Sequence, residues 1–358
     1  GYLVDRFGPR RMMFIGVPIM AVGFLVMGNA PNFGVFVGAF ILGVVLGSSL
    51  GFGIPLSTSV ANWWYRKRGR AFGIMWLGFS LASISVYGIV WLIDTYDWRV
   101  AFQIMGVLVL VVGFPIAAIM RHRPEQYGLL PDGVDPAQIE NSYDGPPVVA
   151  ALEEPDFTVG QAIRTAAFWF FTISVSLRTG ITTGIAINTF PLVEEVGGSS
   201  ASAGLIFVLQ GVCSAPGRLV MSWAGDIINK RYIMAVSLAV MSVALLMMSA
   251  AGTFLQLAVL WVPYAIVWGG LSSIPQSFQA DLFGRRNYGV IHGSMSPIRV
   301  VFSFGAPIFA AVVADMTDSY QLALIVFGVL SLVAMVLIMF ARLPDHLDPN
   351  ASFRKQAT

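Results

Sequence analysis

The sequence predicts an all-α polytopic membrane protein built from two pseudo-symmetric halves, and three observations predict it. Of 358 residues, 56% are hydrophobic and 11% charged, with a mean hydropathy of +0.76, whereas a soluble domain carries roughly 25% charged residues. Ten apolar stretches reach the length that a hydrocarbon core demands, about 20 helical residues at about 1.5 Å rise apiece. Short charged motifs of the first half recur six stretches later, the mark of an internal repeat.

Taken in order, the charges between stretches set both boundaries and orientation. Arg6, Arg10 and Arg11 precede the first stretch, near 12–28. The second, 33–63, is followed by Arg66, Lys67, Arg68 and Arg70, and the third, 71–93, by Asp94 and Asp97. The fourth, 100–120, is followed by Arg121 and Arg123, with Arg164 ahead of the fifth, 168–191. Glu194 and Glu195 lead to the sixth, 201–223, and Lys230 and Arg231 to the seventh, 232–252. The eighth, 254–282, is followed by Arg285 and Arg286, and the ninth, 288–314, by Asp315 and Asp318. The tenth, 321–342, ends at Arg342, with Arg354 and Lys355 in the tail. Three of the 21 Lys and Arg lie inside stretches, and among the rest Arg99 alone breaks the alternation. Because Lys and Arg concentrate on the cytoplasmic side, the termini and every second loop are expected there, in a plasma (inner) membrane. The second and eighth stretches exceed a straight crossing, and Pro55, Pro263 and Pro275 predict kinks or extensions past the bilayer.

Residues 121–165 turn acidic, polar and proline-rich, with Glu125, Asp132, Asp135, Glu140, Asp144, Glu153, Glu154 and Asp156. A connection longer than about 12–15 residues with this charge reads as a mobile linker, with a short surface helix around 159–164. The expected organisation is an N-terminal half over 1–120, a cytoplasmic linker over 121–165, a six-helix C-terminal half over 166–342 and a cytoplasmic tail over 343–358. The chain opens on Gly1 within a basic segment, which reads as a truncated start.

Cys213 is the one cysteine and lies inside a stretch, so an intrachain disulfide is impossible and the residue reads as a small packed hydrophobe. There is no Cys/His cluster for a metal, no phosphate-loop signature and no Ser-His-Asp arrangement, and the basic residues follow topology rather than one surface. An enzyme, a cofactor or metal and a nucleic-acid partner are therefore not expected, and the chain is read as a monomer.

Arg178, Arg218 and Arg299 interrupt apolar stretches, while the 19 Asp and Glu are read as falling between them. A charge deep in a bilayer costs roughly 2.5 to 3.5 kcal/mol, and arginine cannot shed its proton. Such a cation must face water, headgroups, backbone carbonyls or an anion that comes and goes, and the last describes a carrier of anions. For Arg218, about five residues or roughly 7 to 8 Å from the end of its stretch, snorkelling to headgroups is the plain alternative. For Arg178, about 12 residues in, the alternative is a structural role against backbone carbonyls or against a carboxylate in helices that the truncated start lacks.

Helical spacing surrounds each cation with polar residues. His292, Ser296 and Ser303 lie at −7, −3 and +4 from Arg299; Ser214 and Ser222 flank Arg218; Ser174 and Thr182 flank Arg178. The third stretch adds Trp76, Ser80, Ser83 and Tyr87, and the eighth Trp268, Ser272 and Gln276. Stripes of this kind are more often packing than ligand contact, and His292 reads first as a helix-start residue.

The halves echo each other closely. Asp5 is followed five residues on by Arg10, and six stretches later Asp226 is followed five residues on by Arg231; Arg68, Gly69 and Gly73 match Arg286, Gly289 and Gly293. GYLVDRFGPRR resembles the loop between the second and third helices of the major facilitator superfamily. SWAGDIINKR resembles its degenerate second copy, with Ser222 and Ala224 where the pattern has Gly and Leu. WWYRKRGRAFGI, DWRVAF, RPEQYGLLPDG, FTVGQAIRTAAFW and ADLFGRRNYGVIHG resemble the monocarboxylate porter and oxalate/formate antiporter branch.

The resemblance implies that superfamily's fold with about ten of its twelve transmembrane helices, the third to the twelfth. It implies secondary active transport of a small organic anion, a mono- or dicarboxylate, by alternating access. Arg218 is similar to the arginine that binds substrate carboxylate in the eighth helix, and Arg299 stands where oxalate/formate antiporters have a cavity lysine. With the polar stripes, the expected substrate-binding set is Arg218, Arg299, Arg178, Ser214, Ser296, Ser303, Trp76 and Tyr87. Asp5, Arg6, Arg10 and Arg11, with Asp226 and Arg231 in the second copy, are implied to form a gating motif across helix ends. Ser214 stands where monocarboxylate transporters carry an acidic residue, so a counter-anion or a proton are both open as the coupled partner. A drug carrier, a sugar carrier or a non-transporting sensor on the same fold are the alternatives.

Overall fold

The computed structural model describes residues 1–133 and 157–342; the acidic part of the linker and the tail, with Arg354 and Lys355, lie outside the described residues. α1 (Tyr2–Phe7) and α2 (Pro9–Gly28) are divided by Gly8 at φ 85°, a left-handed conformation that costs glycine little. There follow α3 (Phe33–Trp63), α4 (Arg68–Thr95) and α5 (Trp98–Ile119). The short helix expected ahead of the second half is α6 (Val159–Ile163), opened by a capping box in which Thr158 and Gln161 satisfy each other's backbone N–H. The second half continues as α7 (Ala166–Ile187), α8 (Thr189–Glu195), α9 (Ser200–Ala224), α10 (Lys230–Met248), α11 (Phe254–Phe283), α12 (Tyr288–Thr317) and α13 (Gln321–Phe340).

Among the described residues, nine helices are long and apolar enough to cross a membrane. The remaining predicted stretch is α4, a continuous helix of 28 residues. The side chains of Ser83, Tyr87 and Asp94 on α4 lie outside the described residues. Val22, Leu42, Val111, Val236 and Phe304 are among the large apolar side chains left exposed, as expected of faces that meet hydrocarbon rather than water.

The irregularity in α3 falls ahead of Pro55 rather than at it. Phe40–Val45 and Ser49–Gly53 are π-helical, and Pro55 follows directly as the second residue of the α-helical segment Ile54–Trp63. Gly43, Gly47 and Gly51 all face α2 at van der Waals limits: a methyl on Gly23 would lie 2.6 Å from the Gly43 Cα, and one on Gly16 2.2 Å from the Gly51 nitrogen. Residues four apart drift around a helix of 3.6 per turn, and the wider π turns take up that drift. Pro263 and Pro275 lie inside α11, which continues through both.

Packing divides the described chain into two compact units, one of 1–66, 82–133 and 283–293, the other of 67–81, 157–282 and 294–342. In the first, α2 packs along α3 and α5. In the second, α13 packs along α10 and α7. Serine hydroxyls join these helices by donating to facing backbone carbonyls, Ser174 to Ala334 at 2.7 Å, Ser242 to Gly328 at 2.7 Å and Ser331 to Leu238 at 2.8 Å. Each such bond contributes about 0.6 to 2 kcal/mol in a membrane. Ser174 therefore faces α13 rather than extending the polar face around Arg178.

Candidate functional site

Arg218 on α9 is only 1% exposed. Its Nε donates to Ser272 Oγ at 3.1 Å, its Nη1 donates to Ser80 Oγ, and its guanidinium carbon lies 5.0 Å from the centroid of the Trp268 ring. Helices α9 and α11 approach this closely because glycines face across the contact: a methyl on Gly217 would lie 2.0 Å from the Ile266 carbonyl oxygen, and one on Gly269 2.1 Å from that of Ser214. The side chain does not run out along its own helix toward a surface, as snorkelling requires. It turns instead among hydroxyls of α4 and α11, and no carboxylate touches it among the described residues. One turn away, Trp76 Nε1 donates to Gln276 Oε1 at 3.0 Å, so the polar stripes of α4 and α11 meet pairwise.

Ser214 and Ser222 do not join this cluster. Ser214 is fully buried, with its hydroxyl donating to the Gly211 carbonyl of its own helix, and Ser222 shares a hydrogen bond of 2.6 Å with Ser273.

A second cluster forms between α7 and α12. Arg178, half-buried, donates from Nη2 to Thr179 Oγ1 at 3.3 Å; its Nε has no hydrogen-bond partner among the described residues. Arg299 and Ser296 are half-buried on α12, and Ser303 shares a hydrogen bond of 3.3 Å with Thr183 of α7. His292 stacks on Tyr288, with ring centroids 5.8 Å apart.

The two aspartates of the repeated motif cap helices. Asp5 accepts from the N–H groups of Gly289 at 3.1 Å and Val290 at 2.7 Å, in the first turn of α12. Asp226 accepts from Gly69 at 2.6 Å and Arg70 at 3.1 Å, in the first turn of α4. The first N–H groups of a helix have no partner within it and carry the positive end of its dipole, so a carboxylate is favoured there. Burial pushes both carboxyls above the usual carboxylate range, against the opposing pull of those N–H groups. The basic members of the motif lie elsewhere: Arg6 stacks on Tyr2 and Phe7, Arg10 on Phe14, Arg11 is exposed, and Arg231 donates to Tyr232 Oη. Asp226 pairs with Arg70, at 3.3 Å, instead of Arg231.

One network was not anticipated. Arg68, fully buried, donates to Asp281 Oδ1 at 2.9 Å, and Lys230 donates to Asp281 Oδ2. Asp281 lies within the last turns of α11, not in the segment after it. The signal available in the sequence was a single acidic residue at the end of an apolar run. The RPEQYGLLPDG stretch also finds a structural role: Glu125 pairs with Arg285, and Asp132 accepts from the N–H groups of Tyr65 and Arg66.

The Major Facilitator Superfamily model matches residues 1–192 and again 171–358, and the chain belongs to that superfamily. It is an integral membrane protein. An uncharacterized MFS-type transporter of Bacillus subtilis (strain 168), YcxA, is 24% identical over 239 residues, 65% of this chain. That match spans 53% of the relative, about half its length. The oxalate:formate antiporter of Oxalobacter formigenes is 23% identical over 353 residues, 95% of this chain and 77% of the antiporter. Among solved structures, the proton:xylose symporter XylE superposes with TM-score 0.71 at 13% identity, over 95% of this chain and 81% of its own. The human organic anion transporter MFSD10 superposes with TM-score 0.68 at 15% identity, over 94% and 78%. At these identities the structural likeness is one of fold.

Proposed function

We propose that the protein is a secondary active carrier of a small organic anion, a mono- or dicarboxylate, working by alternating access with Arg218 as its principal carboxylate clamp. The observation that carries this reading is the state of Arg218: 1% exposed, stacked on Trp268 and hydrogen-bonded to two neutral hydroxyls. A buried charge costs several kcal/mol unless it is compensated. Serine hydroxyls satisfy donors without neutralising charge, and a substrate carboxylate supplies what they lack through the planar guanidinium fork. Arg178 on α7 and Arg299 on α12, helices joined by the Thr183–Ser303 hydrogen bond, provide a second positive locus, which suits a dicarboxylate or an exchange of carboxylates. The similarity to an oxalate:formate antiporter along most of the chain supports the same substrate class. Asp5 and Asp226 serve as the gating pair, because each holds the first turn of a helix from the opposite half of the sequence. No catalytic step, metal or cofactor enters this reading. A counter-anion or a proton as coupled partner, a monomeric carrier, and a plasma (inner) membrane location with cytoplasmic termini and linker complete it.

Reconstituted into liposomes, the protein should take up labelled carboxylates saturably, and Arg218→Gln and Arg299→Gln should each abolish that uptake. Transport of neutral or cationic solutes that survives both substitutions would overturn the anion reading.

A further inference from the structure

The geometry points to Ser80 as a positioning residue, the latch through which occupancy at Arg218 is felt by α4; this rests on the reading of Arg218 as the carboxylate clamp. A guanidinium offers two bidentate edges, one pairing Nε with Nη2 and the other pairing Nη1 with Nη2. Ser272 takes Nε and Ser80 takes Nη1, so a serine sits on each edge. A carboxylate that engages either edge bidentately must share or displace one of them.

The two serines are not equivalent. Ser272 and Trp268 belong to α11, which is locked to α9 by the contacts at Gly217 and Gly269, and the Ser272 hydroxyl is further anchored to the Gly269 carbonyl. Displacing Ser272 would move nothing beyond its own side chain. Ser80 belongs to α4, a helix of the first half whose residues 67–81 pack with the second half. Around Arg218 the links within that packing include Ser80 to Arg218, Trp76 to Gln276, and the approach of Gly73 to Ser222. A charged carboxylate is the stronger acceptor, takes Nη1, and frees α4 at the C-terminal end of its packed segment 67–81. In the empty protein the same hydroxyl holds α4 in place. Substrate affinity is therefore set by competition with Ser80, and release of α4 is tied to occupancy.

The test uses the full chain in proteoliposomes with radiolabelled oxalate and acetate, comparing efflux into substrate-free buffer with exchange. Ser80→Ala should lower KM roughly threefold to tenfold, the net weight of one ordinary intramolecular hydrogen bond. It should also raise substrate-free efflux relative to exchange, and Ser80→Thr should restore both. Ser272→Ala should raise KM and leave the efflux-to-exchange ratio as in the unaltered protein. A Ser80→Ala protein with unchanged KM and ratio, while Arg218→Gln abolishes flux, would overturn the latch and leave the clamp standing. Hydrogen exchange over residues 68–81 in lipid nanodiscs without substrate reads the latch directly: it should be faster in Ser80→Ala and normal in Ser80→Thr, and equal rates would overturn the proposal. If that difference is present but neither oxalate nor acetate moves, the latch holds and the carboxylate reading falls.

Discussion

Asp5 and Asp226 cap the first turns of two different helices in the same way. Each carboxylate spans two consecutive N–H groups in the first turn of a helix from the other half of the sequence, Asp5 those of Gly289 and Val290, Asp226 those of Gly69 and Arg70. The internal repeat is thus expressed as a pair of reciprocal caps.

Replacing either carboxylate by an amide puts an NH2 group against a backbone N–H and removes the charge from the helix dipole. Asp5→Asn and Asp226→Asn should each lower stability by about 1 to 2 kcal/mol, and the double variant by about the sum, since the sites share no partner. Thermal unfolding in detergent checks this.

Both carboxyls are held above the usual carboxylate range, with burial the largest cause. Between roughly pH 4, where an unfolded carboxyl titrates, and the raised native value, the folded protein binds more protons than the unfolded chain. Stability from these groups therefore rises as pH falls through that window and is lost as pH rises out of it. The melting temperature of the Asp5→Asn/Asp226→Asn protein should show a shallower dependence on pH there than that of the unaltered protein.

Arg218→Lys should fail to rescue function. Lysine keeps the charge but has no planar fork to reach Ser80 and Ser272 together while lying on Trp268. Carboxylate uptake should fall at least about tenfold, the loss of one fork contact at roughly 1.4 kcal/mol.

Gly217→Ala drives a methyl to within 2.0 Å of the Ile266 carbonyl oxygen. The α9 and α11 backbones must separate, costing about 1 to 3 kcal/mol and moving Arg218 off Trp268, so melting temperature and uptake should fall together. Gly204→Ala, on the same helix with nothing within 4 Å of the added methyl, should be neutral or stabilising by up to about 1 kcal/mol.

Asp281→Asn leaves Arg68 fully buried without its carboxylate. The cost should be about 3 kcal/mol, the low end for a broken buried pair, because Asp281 itself is 35% exposed. Lys230→Met, which removes the second cation and leaves the Arg68 pair intact, should cost less in the same unfolding assay.

Much of this molecule is legible residue by residue. A helix that crosses hydrocarbon must be apolar over some 20 residues, so the stretches, their spacing and the interruptions at Arg178, Arg218 and Arg299 are local properties that the chain displays directly. The superfamily follows from motifs that are equally local. Which polar groups meet is a different kind of fact. Ser214 and Ser80 both lie on polar stripes, yet Ser80 reaches Arg218 while Ser214 turns to its own backbone. Asp281 sits at the end of an apolar run with no sign of the Arg68 it neutralises from the other half of the chain. Helical spacing assigns a residue to a face, but the partner of that face depends on how each helix is rotated and how closely its neighbour approaches. Those are decided where glycines let backbones touch, as at Gly217 and Gly269. By itself the sequence determined the helices, the repeat and the buried cations; the tertiary structure alone decided their partners, because contacts between distant segments depend on packing that no local pattern encodes.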